Sequence, residues 1–295
     1  MRVMLCGMLL GVWVNMGTGQ TQNRSVVYQY WESNSVQSNG IRLHYWRTGG
    51  QGKPVMIMAH GITDYGLNWA TLASKLEPDY DIIMYDARGH GFSEKPTGPY
   101  DLATHVEDLV GLIKALGIQK PILVGHSMGG SIAALAAATY AEIPKAIIME
   151  DPPMDESLDH LTEEVIPDWK AMVKKDGATT KPELMKIART IRHPGLSDFE
   201  YDHWAEAKKL VHPNVVDIVK GQGFGDPDKI FPRISVPALI LKAEAKEMYQ
   251  KRHLTTAAKL QNGKLIHIKG TSHLVRHDKP KQTENAMRLF LRNIK

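Results

Sequence analysis

The sequence predicts an α/β fold: a mostly parallel sheet with helices on both faces and an inserted helical cap. Three observations carry this expectation. Short apolar runs alternate with stretches of helical period over 35–151 and again over 234–295, the pattern of strands joined by crossover helices. One junction, Gly125-His126-Ser127-Met128-Gly129-Gly130, lies between the apolar run Ile122-Leu123-Val124 and the alanine-rich run from Ile132 to Ala138, and reads as strand, sharp turn, helix. The stretch 152–233 breaks the alternation with more charge, recurrent prolines and the aromatic residues Trp169, Phe199, Tyr201, Trp204 and Phe224. That composition suits a helical cap over the sheet edge, walling a pocket with aromatic and aliphatic surface.

A chain of 295 residues with 43% hydrophobic and 23% charged residues has room for one large α/β domain or two smaller ones. The net charge of +4 is mild, and Lys174-Lys175 and Lys208-Lys209 are only pairs, so no nucleic-acid partner is indicated. Arg2, the apolar segment Val3 to Val14 and the small residues Gly17-Thr18-Gly19 match a signal peptide over 1–19, which predicts a secreted or periplasmic protein, with a misassigned start, a short membrane anchor or a cytoplasmic chain as the alternatives. The apolar segment is too short to span a bilayer, so no stable membrane insertion is expected once the leader is removed. Cys6, the only cysteine, falls within it, which leaves the mature chain neither disulfides nor thiol catalysis.

Taken in order, Ser35-Val36 and Ile41 to Trp46 flank Asn39-Gly40, a hairpin signal because both turn residues take positive φ. His44, within the second strand, reads as structural. Pro54 to Ala59 is a buried strand ending in His60-Gly61-Ile62-Thr63-Asp64. The glycine lets this loop present the Ile62 amide to a reacting centre, and His60 reads as a brace for the loop. Leu67 to Leu76 predicts a helix stopped by Pro78, and Asp81 to Tyr85 the next strand. Asp86-Ala87-Arg88-Gly89-His90-Gly91-Phe92-Ser93 predicts a tight loop closed by internal hydrogen bonds and an Asp86/Arg88 pair. A helix over 101–116, with Gly117 as its C-cap, returns to the strand over 119–124.

Past the junction, Ala146 to Met149 is a strand ending in Glu150-Asp151-Pro152-Pro153. The cap carries helical pieces near 161–175, 182–192 and 198–210. Pro237 to Lys242 resumes the sheet, a helix follows over 251–260, and Lys264 to Ile268 is the last strand, followed by Gly270-Thr271-Ser272-His273 and a closing helix over 280–294. Loops at the carboxyl ends of parallel strands gather at one edge, where ligands sit.

Ser127 between flanking glycines fits a nucleophile elbow, with the Met128 amide at the start of a helix as an oxyanion donor and the Ile62 amide as the second. A serine needs a base, and a carboxylate to hold that base in the right tautomer. His273, just after the last strand, can reach back across the edge; His267 alternates within the strand and His277 lies beyond the loop.

These residues together resemble the α/β-hydrolase-fold serine hydrolases. The resemblance rests on the His60-Gly61 loop, the Asp-x-Arg-Gly-His-Gly-x-Ser loop from Asp86 to Ser93, the Gly-His-Ser-Met-Gly-Gly elbow and the Gly-x-x-His ending at His273, and covers 36–294. It implies acyl transfer through Ser127. Many members take the acid after the strand that here is Ala238 to Lys242, in a Gly-x-x-Asp turn; this chain reads Ala243-Glu244-Ala245-Lys246-Glu247, with Lys246 at the aspartate position and no turn glycine. Deformylase-like members take it from the preceding strand end, in an Asp-Pro-Pro context that Asp151 matches. Asp151 is therefore the first candidate, Glu244 the second, and Glu150 and Glu247 follow.

The expected substrate is a small or medium apolar carboxylic ester or lactone, with amides, formamides and carbon–carbon bonds as alternatives and an inert binding protein on the same scaffold as another class. Serine in place of an aspartate at the elbow argues against the alkyl-enzyme chemistry of epoxide hydrolases and haloalkane dehalogenases. No cofactor or metal is expected: there is no P-loop, no zinc spacing and no His-Glu-x-x-His, and His273 and His277 lack a third ligand.

Overall fold

Asn39 and Gly40 adopt φ of 47° and 78°, and this two-residue turn sets β1 (Glu32–Ser38) antiparallel to β2 (Ile41–Arg47), with Ser38 opposite Ile41. The computed structural model describes residues 30–154 and 162–294; the expected leader and Cys6 lie outside them. β3 (Val55–Ala59) and β4 (Asp81–Tyr85) follow, separated by α1 (Ala70–Leu76). Next come α2 (Leu102–Ala115), β5 (Ile122–His126), α3 (Met128–Thr139) and β6 (Ala146–Glu150). The sheet has eight strands in the order β1-β2-β4-β3-β5-β6-β7-β8, where β7 is Ala238–Lys242 and β8 is Gly263–His267, and every pair from β4 through β3 to β8 is parallel. The hairpin joins this parallel body through β2 and β4, which run antiparallel.

Alternation along the strands buries both faces. Ile57, Ile83, Leu123, Ile147 and Ile240 share one apolar cluster with Leu109, Leu112, Ile132 and Ala136 of α2 and α3. Their neighbours Met56, Ile82, Val124, Ile148 and Leu239 point the other way and are equally buried. α10 (Pro280–Arg292) lies against β7 and α1, where Arg288 reaches Asp79 at 2.7 Å and the Lys75 carbonyl at 2.6 Å.

The described residues between β6 and β7 carry α4 (Ile166–Ala178), α5 (Lys181–Ile187) continued by a π turn over Ala188–Arg192, α6 (Asp198–Leu210) and the short α7 (Pro227–Ile230). Leu184, Ala188, Tyr201, Trp204 and Ala205 form a small core of their own. α6 begins with a capping box, Ser197 and Glu200 each accepting from the other's backbone amide. Its contacts run to loops at the carboxyl edge of the sheet, Tyr65 to His203 and Thr63 to Lys208. Among the described residues no helix is long and apolar enough to cross a membrane.

Two details differ from the sequence reading. The helix expected over 67–76 opens as a 3-10 turn, Gly66–Trp69, because the Gly66 amide is drawn to Asp86 Oδ1 at 2.7 Å. The expected Asp86/Arg88 pair does not form. Arg88 grips Asp108 of α2 through Nε and Nη2, both at 2.6 Å, while Asp86 accepts from the Gly66 and Phe92 amides and faces His44 Nδ1 at 3.2 Å. Residues two apart in this loop project into different layers, so each charge finds a partner distant in sequence. His44 also bonds Ser33 across the hairpin at 2.9 Å, a structural role.

Candidate active site

Ser127 leaves β5 with φ 52° and ψ −116° and starts α3, its amide donating to the Glu150 carbonyl at 2.9 Å. Holding a non-glycine residue in the left-handed region costs ~1–3 kcal/mol, which the surrounding packing must offset. The flanking glycines explain how. A Cβ at Gly125 would stand 2.0 Å from the Gly129 carbonyl oxygen, and one at Gly129 would stand 2.1 Å from that of Ala59 on β3. Both clashes are with backbone, so neither can be relieved by a rotamer change. Gly129→Ala is expected to lower stability by ~3 kcal/mol or more, read as a reduced urea midpoint; an unchanged midpoint would mean the elbow is looser than this.

The Met128 amide is among the first amides of α3, which a helix leaves without intrahelical acceptors and at the positive end of its dipole. Across from it, the loop after β3 is braced by two histidines. His60 accepts from the Ala87 amide at 3.0 Å, which assigns its proton to Nδ1, and Nδ1 donates to the Gly61 carbonyl at 2.8 Å. Burial pushes its pKa down to about 3, so it is neutral with both ring nitrogens engaged. His90 closes on the Ile62 carbonyl at 2.6 Å. The Ile62 amide donates to no group among the described residues.

Asp151 directly follows β6 at φ 42°, buried, with its amide donating to the Leu241 carbonyl at 2.7 Å. Its Oδ2 lies 2.5 Å from His273 Nδ1, and its Oδ1 accepts from the Ala243 amide at 3.0 Å and pairs with the Lys242 ammonium at 2.9 Å. Burial alone would raise its pKa, but the His273 hydrogen bond and the Lys242 charge hold the carboxyl well below the usual carboxylate range. The other candidate acids are placed elsewhere. Glu244 accepts from the Gly270 amide at 3.0 Å, Glu150 binds the Arg276 amide and guanidinium at 2.7 Å each, and Glu247 is exposed in the first turn of α8 (Glu247–Ala257).

Sequence reading missed the groups that hold this arrangement. Arg276 lies in a short helix, α9 (Val275–Asp278), directly after His273; its buried pair with Glu150 ties the histidine loop to β6. His126 Nε2 donates to the His273 carbonyl at 2.9 Å, and its Nδ1 faces Asp64 at 3.6 Å. Lys208 of α6, buried, donates to the Thr63 carbonyl and hydroxyl at 2.6 and 2.7 Å. Asp64 is buried too, yet His126 and Lys208 keep its carboxyl well below the ordinary range. His277 binds Glu200 at 2.9 Å; against the upward push of burial, that bond holds the Glu200 carboxyl at about 2. Each of these charges has a partner far along the chain, and its own neighbours in sequence carry no sign of it. Among the described residues no cluster of three His, Cys, Asp or Glu is arranged to hold a metal ion.

The family profile described as alpha/beta hydrolase fold matches residues 54–177. The chain has the α/β-hydrolase fold. Its similarity to a solved structure of E-2-(acetamidomethylene)succinate hydrolase extends over 89% of this chain and 99% of that one, with a TM-score of 0.73 at 22% identity. Among curated α/β hydrolases, epoxide hydrolase 4 of Mus musculus is 33% identical over 120 residues, 40% of this chain and 33% of that protein. N-formylmaleamate deformylase of Pseudomonas putida is 36% identical over 121 residues, 41% of this chain and 45% of that protein. The matched stretch thus spans from a third to under half of these relatives' length.

Proposed function

We propose that this α/β-hydrolase chain is a serine hydrolase that cleaves small to medium apolar carboxylic esters or lactones through an acyl-enzyme on Ser127. The observation that carries the reading is the 2.5 Å contact of His273 Nδ1 with Asp151, on a loop whose carbonyl is bonded to the residue preceding Ser127. A carboxylate on Nδ1 leaves Nε2 as the basic nitrogen. In this reading His273 Nε2 takes the Ser127 proton as Oγ attacks the substrate carbonyl. The Ile62 and Met128 amides receive the oxyanion, the leaving group departs with the proton from His273, and water activated by the same nitrogen releases the acid. The stretch 152–233 acts as the cap, with Ile166, Val215 and Phe224 joining the main apolar cluster beneath it.

The likeness to an epoxide hydrolase does not transfer the reaction. Attack by a serine hydroxyl on an epoxide carbon would give an ether, which water does not hydrolyse, whereas an ester intermediate turns over. A second reading, amide or formamide hydrolysis, is favoured by the likeness to N-formylmaleamate deformylase and by an acid at the end of β6. Nitrophenyl acetate, butyrate and octanoate should be assayed beside lactones, formamides and a carbon–carbon cleavage substrate. Ester kcat/KM is expected to exceed that on formamides at least ~tenfold; the reverse order would replace the ester reading with the amide one.

A further inference from the structure

Lys242 is the cation that touches the acid. It ends β7 with its side chain buried; its Nζ donates to the Pro152 carbonyl at 3.0 Å and forms an ion pair with Asp151 Oδ1 at 2.9 Å. Asp151 Oδ1 thus accepts from the Ala243 amide and faces the Lys242 charge, which leaves Oδ2 to His273. The other charged groups around this pair are committed among the described residues. Glu150 is held by Arg276, Glu244 by the Gly270 amide, Asp278 by the Ser272 amide and hydroxyl, and His277 by Glu200. On the elbow side, the His126 ring lies 4.7 Å from that of His273 and faces Asp64, which also carries Lys208 at 3.8 Å.

We propose that Lys242 is a positioning residue for the acid–base pair: it fixes the Asp151 carboxylate with Oδ2 toward His273 and offsets part of its charge, so that the imidazolium is less stabilised than Asp151 alone would make it. The catalytic consequence rests on the serine hydrolase reading; the electrostatic one does not. The sign follows from the charges. Asp151 favours protonated His273, Lys242 opposes it, and removing Lys242 lets the ring keep its proton to higher pH. The His273 side chain is 54% exposed, so solvent screens the effect, and the expected rise is about one pKa unit.

The test is an NMR titration of ring-labelled histidines in the full chain, with His273 assigned by its loss in His273→Gln. Lys242→Met should raise the His273 pKa by about one unit and Lys242→Arg should leave it near the wild-type value. The acidic limb of kcat/KM on nitrophenyl butyrate should move with it, lowering activity at pH below the shifted pKa by ~tenfold and leaving the alkaline plateau less changed. If Lys242→Met does not fold, Lys242→Gln carries the same expectation. A superimposable or lowered titration in the neutral variant overturns the inference. A shifted titration in a protein without esterase activity supports Lys242 and sinks the ester reading alone.

Discussion

Ser127→Ala is expected to lower kcat on nitrophenyl esters by ~10⁴–10⁶ and to abolish covalent labelling by a fluorophosphonate. The size follows from the role: with no oxygen to acylate, only binding and the oxyanion amides remain to assist water. Stability should change little, within ~0.5 kcal/mol, because the Ser127 side chain makes no capping hydrogen bond and its strain is carried by the backbone. A folded wild-type chain that resists the probe would remove the serine from the chemistry, and so would a Ser127→Ala variant that keeps more than ~1% of the activity.

Asp151→Asn should cost ~10⁴ in kcat, whereas Glu244→Gln should cost less than ~tenfold. An asparagine can present its amide N–H to His273 and select the wrong tautomer, whereas the carboxamide oxygen introduced by Glu244→Gln can still accept from the Gly270 amide. The aspartate change carries a second cost. It leaves Lys242 buried without its counter-charge, and removing one partner of a buried pair costs ~3–5 kcal/mol, so the urea midpoint should fall. Adding Lys242→Met to Asp151→Asn should recover much of that stability and none of the activity, separating the structural loss from the chemical one. A larger kcat loss in Glu244→Gln would move the acid to the loop after β7.

The strands were legible because burial on both faces writes an apolar run into consecutive residues. Asp81 to Tyr85 is read and observed with the same bounds. The hairpin was legible because Asn39-Gly40 is a local conformational preference. The elbow was legible for a steric reason confined to a few neighbours, since Gly125 and Gly129 approach backbone too closely for any side chain. The acid was only narrowed to Asp151, Glu244, Glu150 and Glu247, because all lie near strand ends at one edge and differ in where their side chains go. The pairing of Arg88 with Asp108 was misjudged for the same reason.

Residue order alone thus specifies the strand succession, the turn at Ser127 and the loops that share its edge, all of them properties of short segments. Packing decides which carboxylate meets His273, that Lys242 shares it, and that Arg276 and His126 hold the histidine loop. Those contacts join residues brought together by sheet order, and the free energy of a buried charge depends on the partner that folding places beside it.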